Sequence, residues 1–186
     1  MPPKVKITKE DIINAAVGLV QKEGAEAINA RTLANVLNCS TQPIFSNFAT
    51  MEELRLAVVK KADEMCNEYI KREIESEKFP VYKASGMAYI RFAKEEKELF
   101  KLLYMRDRTS EAEPETDELG DRMRTIIQNN TGFGDEDAKL FHLEMWAYVH
   151  GIASMLATNF INLDFELISR MLSDAYQGMR KHYETE

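Results

Sequence analysis

Two cysteines, Cys39 and Cys66, are all the thiol chemistry in 186 residues. They give no disulfide framework, and no basic, apolar and small-residue succession at the N-terminus marks a secretory signal. The expectation is two reduced thiols in a cytoplasmic protein. Histidine is as sparse, with only His142, His150 and His182. None stands in a Glu-x-x-His arrangement and none has metal-like spacing with the cysteines, which argues against a di-iron carboxylate bundle or a zinc site. Gly132-Phe133-Gly134 lacks a third glycine and is followed by acids that repel phosphate, and neither cysteine has an evident base partner. No cofactor is expected, and the enzyme class recedes. Strand-like alternation, internal repeats and low-complexity segments are missing too. What remains is an all-α chain with 45% apolar and 30% charged residues, enough for a sizeable core.

About nine helices follow from caps and periodicity. Thr8 with Asp11 caps a first helix whose apolar stripe (Ile12, Ile13, Ala16, Val17, Leu19, Val20) runs to Gly24. A second helix spans Ala30 to Leu37 and a third Thr41 to Asn47. Thr50 and Glu53 form a capping box for a long fourth, with Leu54, Val58, Ala62, Met65 and Tyr69 on one side. Pro80 precedes helices over Val81 to Lys94 and Glu95 to Met105. Arg106 to Thr116, with Pro114, reads as a loop, and a seventh helix ends near Asn130. After Gly132-Phe133-Gly134, Asp135 to Asp137 open a long eighth helix, and a last one begins near Phe165.

The second and third helices carry the most information. Two helices crossing steeply need a short connection with a residue that accepts a left-handed backbone, and Asn38 supplies it in place of glycine. Ser40 then serves as N-cap, and Pro43 falls in the first turn, where its missing N–H costs little. Ile44 and Phe48 pack on Leu33, Ala34 and Leu37. Ser40, Thr41, Gln42, Ser46 and Asn47 stay outside, hydroxyls and amides suited to base edges and phosphates, with glutamine able to grip adenine. Arg31 adds a cation for a guanine edge or a phosphate. The pattern over residues 29–48 is a helix-turn-helix, although an αα-hairpin in some other helical protein has similar spacing.

Net charge is −7, yet residues 1–61 carry +2 and the remainder −9. Lys4, Lys6 and Lys9 form a basic arm suited to phosphates or, equally, an ordinary solvated tail. Between Met145 and Leu163 no Lys, Arg, Asp or Glu occurs. Tyr148, His150, Ser154, Thr158, Asn159 and Asn162 interrupt that run, so a membrane span is rejected and a helix shielded nearly all round is expected. Ala147, Gly151, Ser154 and Thr158 make a small-residue stripe. Phe165, Ile168, Leu172, Ala175 and Met179 add an apolar seam. Two such hairpins suit an intersubunit four-helix bundle in a homodimer.

Ser40-Thr41-Gln42-Pro43-Ile44-Phe45-x-x-Phe48 followed by Met51-Glu52-Glu53-Leu54 resembles the recognition helix and linking helix of tetracycline-repressor-like (TetR) transcriptional regulators, the likeness running over about residues 6–66. Trp146, His150 and Gly151 resemble the Trp-x-x-x-His-Gly signature of a subgroup's C-terminal domain. The resemblance implies a three-helix DNA-binding domain at 1–50, Phe45 included in its contact surface. It also implies an effector-binding and dimerisation domain at 51–186, and a homodimer on a palindromic operator. Phe45 stands where tyrosine is usual, Asn47 where histidine or tyrosine is common, and Met51 where lysine is frequent. Fewer phosphate contacts follow, shifting affinity toward the arm and Lys60 or Lys61. A small hydrophobic effector is expected among Tyr69, Tyr82, Phe92, Phe100, Tyr104, Met123, Ile127, Trp146 and His150, most of which serve equally as core. His150 offers either a polar handle for that ligand or a group satisfied by a backbone carbonyl or tyrosine. Repression is the expected sign.

Overall fold

The computed structural model describes residues 7–107, 109 and 118–184. Those residues form nine α-helices and no strand: α1 Lys9–Glu23, α2 Ala30–Val36, α3 Gln42–Asn47, α4 Met51–Glu75, α5 Val81–Glu95, α6 Lys97–Tyr104, α7 Glu118–Thr131, α8 Asp135–Ala157 and α9 Phe165–Tyr183. A 3₁₀ turn at Ala25–Ala27 follows α1. Two compact units result, one of Met1–Asn67 with Glu96–Arg106, the other of Glu68–Glu95 with Asp107–Glu186. The unit boundary falls inside α4.

In the first unit α1 packs on α2, α3 and α6. Its N-terminus carries the predicted capping box, with the Thr8 hydroxyl accepting from the Asp11 N–H and the Asp11 carboxylate accepting from the Thr8 N–H. The Thr8 hydroxyl, donating to the same carboxylate at 2.7 Å, and then the Thr8 N–H hold the Asp11 carboxyl below the usual carboxylate range. Ile12, Ala16, Val17, Leu19 and Val20 are buried, and Gly24 ends the helix at φ 84°, a conformation that favours glycine. Along α4 the buried stripe is Leu54, Val58, Ala62, Cys66 and Ile70, spaced by four. The expected Met65 and Tyr69 flank it half-buried. Burial pushes the Cys66 thiol up to about 11, which makes it inert at neutral pH.

The second unit is built on α5 and α8, with α7 and α9 packed alongside. A Cβ added at Gly86 lies 3.4 Å from Val149 Cγ2 and 3.5 Å from Leu172 Cδ1, so three helices converge on that position. Around Ile127, Ala138, Phe141 and Met145 pack Tyr82, Phe133, Ala175, Tyr176, Met179 and Tyr183. Phe141 meets Tyr176 edge-on with centroids 5.2 Å apart, and burying its ring contributes about 1.5–3 kcal/mol. The Asp164 side chain caps α9 through the Leu167 N–H. Among the described residues no helix is long and apolar enough to cross a membrane.

On the last helix Ile168 and Leu172 are buried within the chain, and the half-buried Ala175 and Met179 pack on the Phe141 cluster, so the seam helps to close the unit's own core. On α8 one side is buried in the unit and the other is open in the single chain. Leu140, Leu143, Trp146, Ala147 and Gly151 lie on its exposed side. A three-four spacing shows that a face is apolar, not what covers it.

Candidate nucleic-acid interface

The Asn29 side chain accepts from the Thr32 N–H and starts α2, a cap the sequence reading did not single out although Asn-x-x-Thr carries its signal. Arg31, in the first turn, is exposed and makes no ion pair among the described residues. Asn38 holds φ 50°, the left-handed turn expected of it. Ser40 is not the cap of α3; Thr41 takes that place in a right-handed helical conformation, without a side-chain bond to the helix. With Pro43 near the start, one orphan N–H is missing and a capping side chain has less to satisfy.

Ile44 and Phe48 are sealed at 0% and 1% exposure, together with Leu33 and Ala34. The opposite side is wet. Ser40, Gln42, Phe45 and Ser46 are exposed, and Thr41 and Asn47 are half-buried. Ser46 Oγ donates to the Gln42 carbonyl at 2.9 Å, and Asn47 Nδ2 to the Pro43 carbonyl at 2.8 Å, so both side chains are tied to their own helix. Gln42 has no such tether.

Lys9 departs from the expected arm. It is the first residue of α1, its Nζ 3.1 Å from Glu53 Oε1 and 4.6 Å from the Phe48 ring centroid. The Glu53 carboxylate also accepts from the Ala49 N–H, and the Glu53 N–H donates to the Thr50 hydroxyl. Together the Ala49 N–H and Lys9 keep the Glu53 carboxyl below its usual range. The clamp fixes the turn between α3 and α4 against α1. Sequence offers no signal for it, because Lys9 and Glu53 are 44 positions apart. Lys4 and Lys6 lie outside the described residues. Beside the clamp, an open cleft of about 370 Å³ is lined by Lys9, Glu10, Ile13, Asn14, Ala57, Lys60, Lys61 and Glu64, a mixed-charge surface.

The residues expected around an effector fall into separate groups. Phe100 and Tyr104 belong to the first unit, their rings 5.1 Å apart, with Tyr104 Oη donating to Cys66 Sγ at 3.6 Å. In the second unit Tyr69 meets Phe92 edge-on and donates to Glu95 at 3.2 Å. Tyr82 bonds His142 Nδ1 at 3.1 Å, and the Ser85 hydroxyl reaches both the Tyr82 carbonyl and Met123 Sδ. Burial pushes the Tyr82 phenol far up, so it stays protonated. Phe92, Met123 and Ile127 are closed from solvent.

Trp146 is 45% exposed and stacks on His150 at 5.0 Å. His150 Nδ1 bonds the Tyr89 phenol at 2.9 Å, matching the tyrosine alternative expected for it, and burial lowers its pKa toward the neutral ring. On the same helix Ser154 is half-buried and Thr158, just past the end of α8, is exposed with its hydroxyl on the Ser154 carbonyl. Phe165 is half-buried beneath Arg91. Among the described residues no group of three His, Cys, Asp or Glu is placed to hold a metal.

Two solved structures share this arrangement of helices. One is a protein of unknown function from Rhodococcus sp. RHA1, with TM-score 0.74 and 20% identity over 98% of each chain. The other is the multidrug binding protein EbrR complexed with imidazole, with TM-score 0.56 and 15% identity over 90% of this chain and 88% of that one. No curated protein matches significantly. Residues 82–175, half of the chain, match the model of the tetracyclin repressor-like C-terminal domain. By that match over half of its length, and with an all-helical fold among the described residues, the chain belongs to the tetracycline-repressor-like family.

Proposed function

We propose that the chain is a sequence-specific DNA-binding transcriptional regulator. It acts in the cytoplasm as a homodimeric repressor that a small hydrophobic effector releases from a palindromic operator. The observation that carries the reading is α3. Its apolar side is sealed by Ile44 and Phe48, while the side chains of Gln42 and, on α2, Arg31 are exposed and make no hydrogen bond or ion pair among the described residues. A helical interaction module without DNA has no need of such a face. Among the described residues no group of three His, Cys, Asp or Glu is placed to hold a metal, and the buried Cys66 thiol is held protonated, so nothing there favours an enzyme.

In this reading residues 1–50 hold the DNA-contacting elements and 51–186 the dimer and effector functions. Gln42 grips an adenine edge, Arg31 takes a phosphate or guanine, and Thr41, Ser46 and Asn47 add polar contacts. A second copy docks on the exposed side of α8. A Cβ at Gly151 meets nothing of its own chain within 4 Å, so the small residue answers no need inside the protomer. Two-fold symmetry then sets the recognition helices about 34 Å apart or a multiple of that, matching a palindrome. An effector that binds one spacing better than another needs a coupling of only about 1–3 kcal/mol to change occupancy by tens of fold. The aromatic and sulfur-bearing side chains gathered around Phe141 and the likeness to the multidrug binding protein EbrR support a greasy ligand.

The test is an electrophoretic shift with the DNA upstream of the coding region, and with a random duplex pool, using wild type and the double variant R31A/Q42A. Wild type is expected to shift a discrete duplex that the variant leaves unbound. Failure to retain any duplex at micromolar protein overturns the reading in favour of the interaction module.

A further inference from the structure

Phe45 is the odd member of the outward face of α3. Its ring is 53% exposed and makes no ring contact among the described residues, while its neighbours Gln42 and Ser46 are polar. A phenyl group has no donor or acceptor, so it bonds neither a phosphate nor a polar base edge. The one apolar feature that base edges present in the major groove is the C5-methyl of thymine. Gln42 and Phe45 are three residues apart on the helix, about 4.5 Å along its axis, against a base step of about 3.4 Å. Their targets therefore fall on the same or adjacent base pairs.

We propose that Phe45 is a specificity-determining residue that reads a thymine methyl next to the adenine gripped by Gln42. The inference rests on the DNA-binding reading above and adds the base that this position selects. The amide side chain of Gln42 reads hydrogen-bonding pattern, and the phenyl ring reads shape and apolar surface. Covering one methyl is worth about fourfold in affinity per half-site, or about sixteenfold when both halves of a palindrome are changed.

A duplex selected from a random pool by the full-length wild type is resynthesised with deoxyuridine replacing each thymine in turn, which removes the methyl and keeps the base pairing. The expected result is one thymine per half-site at which wild type loses about fourfold. F45A is expected to bind thymine and uracil duplexes alike there, and F45Y, which keeps the ring, to retain the sensitivity. A flat deoxyuridine series with wild type overturns the inference, as does a sensitivity that persists in F45A. A selected duplex that Q42A no longer distinguishes, yet without methyl dependence, removes this inference and leaves the DNA-binding reading standing. No selected duplex at all removes both.

Discussion

Truncating Gln42 to alanine separates recognition from folding more cleanly than any other change on this face. The side chain is exposed and makes no hydrogen bond among the described residues, so nothing buried is uncovered and no partner is orphaned. The expected change in unfolding free energy lies within about 0.5 kcal/mol. Affinity is a different matter, because a bidentate pair to adenine discriminates by about 1–3 kcal/mol. In a two-fold complex the loss appears twice, so Q42A is expected to weaken a selected duplex by about 30-fold at the least. Glutamine carries no charge, so the slope of log K against log salt should be unchanged. R31A on a phosphate should instead flatten it by about 1 per half-site. Fluorescence anisotropy at four or five salt concentrations reads both quantities, and a thermal melt in the same buffer reports the fold. Binding by Q42A within twofold of wild type at every salt, with the fold intact, would refute the claim that this face is read.

Other perturbations probe the scaffold. Asn38→Ala places an ordinary side chain at φ 50° and should cost about 1 kcal/mol, a fall in Tm of about 2–4 °C, whereas Asn38→Gly should melt within about 1 °C of wild type; equal behaviour of the two speaks against backbone strain. Glu53 has a lowered pKa in the folded chain, so its contribution is fully present above its ordinary value of 4.5 and disappears as pH falls through the lower folded value. The gap in Tm between wild type and E53Q should therefore be constant from pH 5.5 to 7 and close toward pH 3, and a gap that widens on acidification contradicts the assigned clamp. A Cβ at Gly151 meets nothing within 4 Å among the described residues beyond its own helix, so Gly151→Glu should leave the protomer folded while converting a dimer to a monomer by sedimentation; an unchanged dimer moves the interface off α8.

Local signals on the sequence mapped well onto the structure where a few neighbouring residues settle the outcome. Thr8 with Asp11, the left-handed Asn38 and the inward pair Ile44 and Phe48 all depend on partners within a turn or on a short adjoining helix. Position-specific chemistry was less legible. Ser40 and Thr41 both have hydroxyls, and spacing alone does not decide which residue borders α3. Contacts distant in sequence were not legible at all. Lys9 looked like part of a free arm because Glu53 and Phe48 come near it only after three helices fold. The α9 seam illustrates the same limit: apolar periodicity reports that a face is apolar, and only packing reveals that Leu172 lies over Gly86 and that Ala175 and Met179 meet the Phe141 cluster. For His150 the sequence is compatible with either a ligand handle or a satisfied core group, and Tyr89, 61 positions away, supplies the bond that no motif announces.

The tether from Asn47 to the Pro43 carbonyl has a consequence for selectivity. The bond commits one of the two Nδ2 hydrogens and fixes the direction of the remaining N–H and of the carbonyl oxygen relative to α3, so a partner meets this donor and acceptor in one orientation only. Because the rotamer is already held, the side chain also loses less freedom when it engages than an untethered amide does.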